Sequence, residues 1–132
     1  MSAPIRVLVV DDHPGARGAI VDLLDATGGM LVVGEGADGR EAVELAAGLR
    51  PDVVLMDVTM PNMSGLEAAH VLTQERRNVH VLMLSADVRC SVVRAAQDAG
   101  AAGFVAKGSG SSELVRAIRA VHAGRPTWPA CA

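Results

Sequence analysis

The sequence predicts an α/β domain in which a parallel sheet is covered by helices on both faces. Five short apolar runs, rich in β-branched residues, begin near residues 5, 30, 53, 79 and 102. Each has strand length and lacks polar alternation, as a strand buried on both faces requires. Segments with apolar residues at helical spacing lie between them, and strict strand–helix alternation implies parallel strands joined by crossover helices. Of the 132 residues 50% are hydrophobic but only 2% aromatic, so Val, Leu, Ala and Met must fill the core, which suits helices packed on a sheet.

Ile5 to Val10 (IRVLVV) reads as the first strand and ends in Asp11-Asp12. Pro14, after His13, fits the first turn of a helix, and Ala16, Ile20, Leu23 and Leu24 recur at helical spacing until Gly28-Gly29 stops the element. Met30 to Val33 is a second strand. Asp38-Gly39-Arg40-Glu41 has capping-box spacing and opens a helix that buries Ala42, Leu45, Ala46 and Leu49.

Val53 to Met56 forms the central strand and ends abruptly at Asp57. Met60-Pro61 breaks the extended pattern, because proline lacks an amide hydrogen and restricts the residue before it. Ser64-Gly65-Leu66-Glu67 is a second capping box, and Leu66, Ala69 and Leu72 face inward behind it. Val79 to Leu84 is the fourth strand and leads to Ser85. A helix burying Val92, Ala95, Ala96 and Ala99 follows, then a fifth strand from Ala102 to Ala106 that ends at Lys107. Gly108 to Ser112 leads into a last helix with Leu114, Ala117, Ile118 and Val121 inward, terminated by Gly124 and Pro126. One domain over residues 1–124 is therefore expected, with 125–132 a tail or the start of a linker.

A formal net charge of −3 gives no general attraction for nucleic acid or anionic membrane. No apolar run approaches the ~20 residues that span a bilayer, and strand-like sequence from Ile5 leaves no room for a signal peptide. Cys90 and Cys131 lack metal-site or redox-motif spacing and read as incidental thiols of a reducing, cytoplasmic setting. Arg76-Arg77 reads as a solvated helix end, His13 as a capping or loop residue, and Trp128 as a side chain free to pack on the body or on a partner.

The functional signal lies just beyond the strands: Asp11-Asp12 after the first, Asp57 after the third, Ser85 after the fourth and Lys107 after the fifth. In a parallel sheet these ends share one edge, the edge where ligands collect. Two carboxylates about 4 Å apart repel by about 4 kcal/mol at an effective dielectric of 20, so the cluster calls for a cation or for protonation. An all-oxygen cluster with room for water suits Mg2+, and a hydroxyl and an ammonium beside it suit a phosphoryl group. Nucleophilic carboxylate, cation and lysine together describe a phosphoryl-acceptor site.

With these residues in view, the chain resembles the receiver domain of two-component response regulators, through Asp11-Asp12, the run D-V-T-M-P-N-M-S-G from Asp57, Ser85 and Lys107. The D-D-H-P start and the E-L-V-R-A-I-R-A-V-H-A-G-R-P ending look most like receivers of LuxR-type transcription regulators. The resemblance implies a (βα)5 doubly wound, flavodoxin-like sheet of order 2-1-3-4-5 and phosphorylation of Asp57 by a sensor histidine kinase. It implies that Asp12, Asp57 and the backbone carbonyl of Thr59 ligate Mg2+, with Asp11 acting through water or as an outer ligand. Ser85 then stands as the switch hydroxyl, Lys107 as its phosphoryl-pairing partner, Phe104 as the rotating aromatic and Asp87 as a residue that modulates dephosphorylation or caps a helix. The implied output is a repacked face of the fourth helix, fifth strand and fifth helix, a homodimer through receiver faces, and DNA contact only through an output domain for which this sequence has no room.

Gly108 departs from the proline that often follows the lysine in this family, so a looser loop is expected there. The main alternative is a receiver-like interaction module that is never phosphorylated, whose usual mark, loss of an acid, the hydroxyl or the lysine, is not seen. A haloacid-dehalogenase-like phosphatase would need a second aspartate at position 59, where Thr59 stands, and a flavin-binding protein would need aromatic side chains to sandwich the ring.

Overall fold

The computed structural model describes residues 3–75 and 78–131. Ten elements alternate: β1 (Ile5–Val10), α1 (Pro14–Asp25), β2 (Met30–Gly36), α2 (Gly39–Leu49), β3 (Val53–Asp57), α3 (Gly65–Glu75), β4 (His80–Ser85), α4 (Cys90–Asp98), β5 (Gly103–Ala106) and α5 (Ser111–His122). The strands form one sheet in the order β2-β1-β3-β4-β5, and every neighbouring pair is parallel. Arg76 and Arg77, expected as a solvated helix end, lie outside the described residues.

Alternation along the strands makes two cores. In β3, Val54 and Met56 join Leu8, Met83, Ala69 and Ala96 on the side of α2, α3 and α4. Val53 and Leu55 point the other way and join Val9, Leu82, Leu24 and Ile118 on the side of α1 and α5. All five residues of β3 are buried, as its unbroken apolar run requires. Each fully buried Val or Leu contributes about 1.5–3 kcal/mol, so the sheet is fixed from both sides.

The N-cap half of each expected capping box forms: the Asp38 carboxylate accepts from the Glu41 amide at 2.8 Å and the Ser64 hydroxyl from the Glu67 amide at 3.2 Å, while the Glu41 carboxylate accepts from the Ala37 amide at 3.4 Å instead of the Asp38 amide. α5 buries Leu114, Ala117, Ile118 and Val121. Other inner faces differ from expectation. On α1 only Leu24 is fully buried, Ile20 and Leu23 are partly so, and Ala16 is exposed. In α4 the buried residues are Val93 and Ala96, with Val92, Ala95 and Ala99 only partly covered.

β2 runs on to Gly36, beyond the expected Val33, because the register shifts between Val7 and Leu8 and the strand resumes at Gly34. At Gly34 a Cβ would stand 2.6 Å from Leu49 Cδ1, so the absent side chain lets α2 close on the strand. β4 and β5 each start one residue later than the apolar runs suggest.

The C-terminal segment is not a free tail. Thr127 makes an isolated parallel bridge to Gly103, and its carbonyl accepts from the Phe104 amide at 2.9 Å. Trp128 packs against the core cluster that contains Phe104 and Ala96, which places it on the body of the domain. The Cys131 thiol lies beside that of Cys90, a contact that raises its pKa.

Candidate functional site

β3 delivers Asp57 to the carboxyl edge of the sheet and holds its main chain still. The Val58 amide bonds Leu84 O at 3.1 Å and the Gly65 amide bonds Val58 O at 2.8 Å. Gly65 itself lies so close that a Cβ would strike the Asp57 carbonyl, whose carbon is 2.9 Å away. Only glycine lets the first turn of α3 sit under the acid. Asp57 is 6% exposed, and its Oδ1 accepts the Thr59 amide at 3.1 Å.

β1 and β5 bring the other charges. Asp11, 1% exposed, accepts the His13 amide through Oδ1 at 2.9 Å. The Lys107 ammonium lies 2.7 Å from Asp57 Oδ2 and 3.2 Å from Asp11 Oδ2. Burial works against the charge on Lys107, but the bond and charge of Asp57, and then those of Asp11, outweigh it and raise its pKa. The lysine therefore stays protonated through the physiological range and neutralises part of the acidic cluster.

The neutralisation is incomplete. Asp11 Oδ2 meets Lys107 as an ion pair without hydrogen-bond geometry, and the buried Asp12 Oδ1 has no hydrogen-bond donor. Buried carboxylate oxygens without a donor are costly. Asp11, Asp12, His13 and Asp57 can each place a ligand atom within 4.8 Å of the others, close enough to share a metal ion. Three carboxylates supply the hard oxygen donors that Mg2+ prefers, so the residues present fit that ion. The His13 imidazole stands at the rim, 71% exposed, 3.2 Å from Asp12 Oδ1. His13 also fills the N-cap position of α1 without a side-chain cap bond.

Ser85, at the end of β4, is 4% exposed. Its hydroxyl oxygen accepts from the Asp87 amide at 3.0 Å, and its carbonyl accepts from the Lys107 amide at 2.8 Å. Hydroxyl and lysine thus sit side by side through the backbone, while the hydroxyl is turned to its own loop. Phe104 is apart from the acids, in the layer under α4, and is already buried at 2% exposure. Thr59 lies exposed in the loop after β3. Asp87 is clamped by Arg89, at 2.9 Å from Nε and 2.6 Å from the terminal nitrogen, and also accepts the Arg89 amide at 3.2 Å, so it is tied to the N-cap residue of α4.

Two supports were not foreseen from the sequence. Asn62, in left-handed conformation at φ 66°, donates to Asp38 Oδ2 at 2.8 Å and ties the Asp57 loop to the cap of α2. Arg17 donates to the Asp11 carbonyl at 2.7 Å and to Glu35 at 3.2 Å, bracing the β1–α1 loop. The Asn62 signal was present as an Asn beside proline, a residue that tolerates αL; a partner for Arg17 had no local signal. Beyond Lys107, Gly108 and Gly110 have φ of 87° and 100°, so the loop into α5 turns on glycines.

Comparison with known proteins bears on the same arrangement. Residues 7–119 match the response regulator receiver domain. The chain is 43% identical over 121 residues to the response regulator GacA of Pseudomonas viridiflava, covering 92% of this chain and 56% of that protein. It superposes on the signal receiver domain of the response regulator NarL from Mycobacterium tuberculosis with a TM-score of 0.91 at 39% identity, over 94% of this chain and 100% of that one. A LuxR-family two-component response regulator from Aurantimonas sp. SI85-9A1 gives 0.90 at 37%, over 95% and 89%. The chain spans 56% of the length of the curated relative it matches.

Proposed function

The chain belongs to the response regulator receiver family, and from that premise we propose that it is a phosphorylatable switch with Asp57 as phosphoacceptor. A carboxylate oxygen of Asp57 attacks the phosphorus of a sensor kinase's phosphohistidine; the new P–O bond forms as the P–N bond breaks, and the imidazole leaves with the electron pair. Asp12, Asp57 and the Thr59 carbonyl would hold Mg2+, with Asp11 as outer ligand. When bound, Mg2+ supplies charge neutralisation at the phosphoryl oxygens.

The observation that carries this reading is the Lys107 ammonium held 2.7 Å from Asp57 and 3.2 Å from Asp11, beside carboxylate oxygens left without donors. The phosphoryl group replaces one negative charge with about 1.5–2 and adds acceptor oxygens. Lys107 then pairs with it, and the Ser85 hydroxyl leaves the Asp87 amide to donate to it. That local electrostatic change biases the α4–β5–α5 face between two arrangements, with Phe104 in the moving layer. Asp87, at the mouth of the loop, modulates hydrolysis of the phosphoryl group. The chemistry is limited to self-catalysed transfer and hydrolysis, in keeping with a signalling domain.

The working context is a cytoplasmic two-component pathway of the LuxR-type class. The kinase is the upstream partner, receiver faces pair in a homodimer, and transcription is controlled through an output domain outside this sequence. Residues 1–124 make the receiver, and 125–132 are its C-terminal tail or the start of a linker. Among the described residues no helix is long and apolar enough to cross a membrane.

The test is incubation with a small phosphodonor, with and without Mg2+, followed by intact mass. Wild type should gain one phosphoryl adduct that depends on Mg2+, and Asp57→Asn should gain none. An adduct surviving in the variant moves the acceptor elsewhere. No adduct in wild type leaves the interaction module that acts without phosphorylation.

A further inference from the structure

β5 ends the sheet, so among the described residues its outer edge has no partner strand. Among the described residues it is met there by Thr127, whose carbonyl accepts from the Phe104 amide at 2.9 Å. The seat is shaped for this contact: a Cβ on Gly103 would lie 2.5 Å from Thr127 Cγ2 and 2.9 Å from its carbonyl oxygen. Pro126 and Pro129 bracket the bridge, and neither can donate a ladder hydrogen bond, so the segment holds one register and cannot zip further along the edge. Trp128 adds a side-chain anchor in the cluster of Phe104, Val93 and Ala96. Farther on, Cys131 touches Cys90 in the first turn of α4. One short segment thus spans β5 and α4.

Those two elements are wired to the acidic site. The Lys107 amide bonds Ser85 O at 2.8 Å, and Lys107 follows β5 directly, three residues beyond the amide that holds Thr127. Packed interiors pass such displacements on between discrete arrangements. Among the described residues the seat consists of the Thr127 bridge, the partly buried Trp128 indole, the Arg125 amide bonded to Ala120 O at 2.9 Å and the Cys131–Cys90 contact, a small set of contacts that suits an element that opens locally.

We propose that Arg125–Cys131 is a strap, seated on the β5 edge and α4 in the phosphoryl-free state and released when Asp57 carries a phosphoryl group. The inference rests on Asp57 being the phosphoacceptor. It makes the β5 edge a docking site whose resting occupant is the chain's own C-terminal segment.

The chain has one tryptophan and no tyrosine, so its indole emission reports the strap alone. The protein is treated with acetyl phosphate and Mg2+, and the same samples are read by intact mass, acrylamide quenching of Trp128 and hydrogen exchange at the Phe104 amide. Release predicts that the quenching constant rises about twofold or more and that Phe104 exchange accelerates about fivefold or more in proportion to the adduct, with neither change in Asp57→Asn. Because coupling is reciprocal, Trp128→Ala should strengthen beryllofluoride binding by about fivefold or more. A full adduct with quenching and exchange unchanged, or slower, overturns the strap while leaving the phosphoacceptor intact. Absence of the adduct, seen by mass, removes both. The wild-type arms carry the decision without any variant having to fold.

Discussion

Replacing Lys107 with methionine keeps the apolar stem and removes the ammonium, which isolates its charge. In the wild type that charge stands 2.7 Å from Asp57 and 3.2 Å from Asp11. Without it, acids whose ligand atoms lie within 4.8 Å of one another repel by at least about 3.5 kcal/mol per pair at an effective dielectric of 20. The chain need not bear the full sum, because one carboxyl can protonate instead. Raising an Asp from an ordinary pKa of about 3.9 to 7 costs about 4 kcal/mol, and that sets the ceiling. Lys107→Met should therefore lose about 3–4 kcal/mol in EDTA at pH 7, in line with about 3–5 for broken buried pairs. Urea unfolding followed by circular dichroism reads it. Mg2+ should restore most of the loss, since a divalent cation replaces the missing charge. Equal losses in EDTA and Mg2+ would refute the reasoning.

Two other outcomes follow from particular atoms. Gly65→Ala drives a Cβ into the Asp57 carbonyl, where backbone on both sides cannot yield, and should cost about 3 kcal/mol or more; Gly18→Ala, with nothing within 4 Å and a place inside α1, should instead stabilise by about 0.5–1 kcal/mol, both read from urea midpoints. The Arg89 guanidinium, and after it the Arg89 amide, hold the Asp87 carboxyl below its ordinary pKa of 3.8, so the clamp is intact above that value and is lost as pH falls through the lower folded-state pKa; an NMR titration should show the depressed midpoint, and Arg89→Ala, which keeps the amide, should move it back toward the ordinary value.

Strand ends and helix starts were legible because their signals are local. Asp57 closes an unbroken apolar run, and Ser64 with Glu67 and Asp38 with Glu41 state their caps in four residues. Convergence of Asp11, Asp12, Asp57 and Lys107 followed from the parallel order alone. What stayed hidden depends on contacts distant in sequence. Asn62 on Asp38, Arg17 on Glu35 and Thr127 on Phe104 are each meetings between segments far apart in the chain, and the last uses only backbone atoms, which carry no residue signature. Ala16 misled because helical spacing fixes a face but not how far a neighbour covers it. Cys90 and Cys131, read as incidental for want of motif spacing, lie side by side because the chain folds back.

The bed on which Asp57 rests has a consequence of its own. With β4 bonded alongside and Gly65 wedged beneath its carbonyl, the acid's main chain is an anvil that cannot recoil. Under the proposed phosphorylation of Asp57, displacement of the side chain would pass to the glycine-containing loop after Lys107 and the loop carrying Ser85 in place of β3 itself.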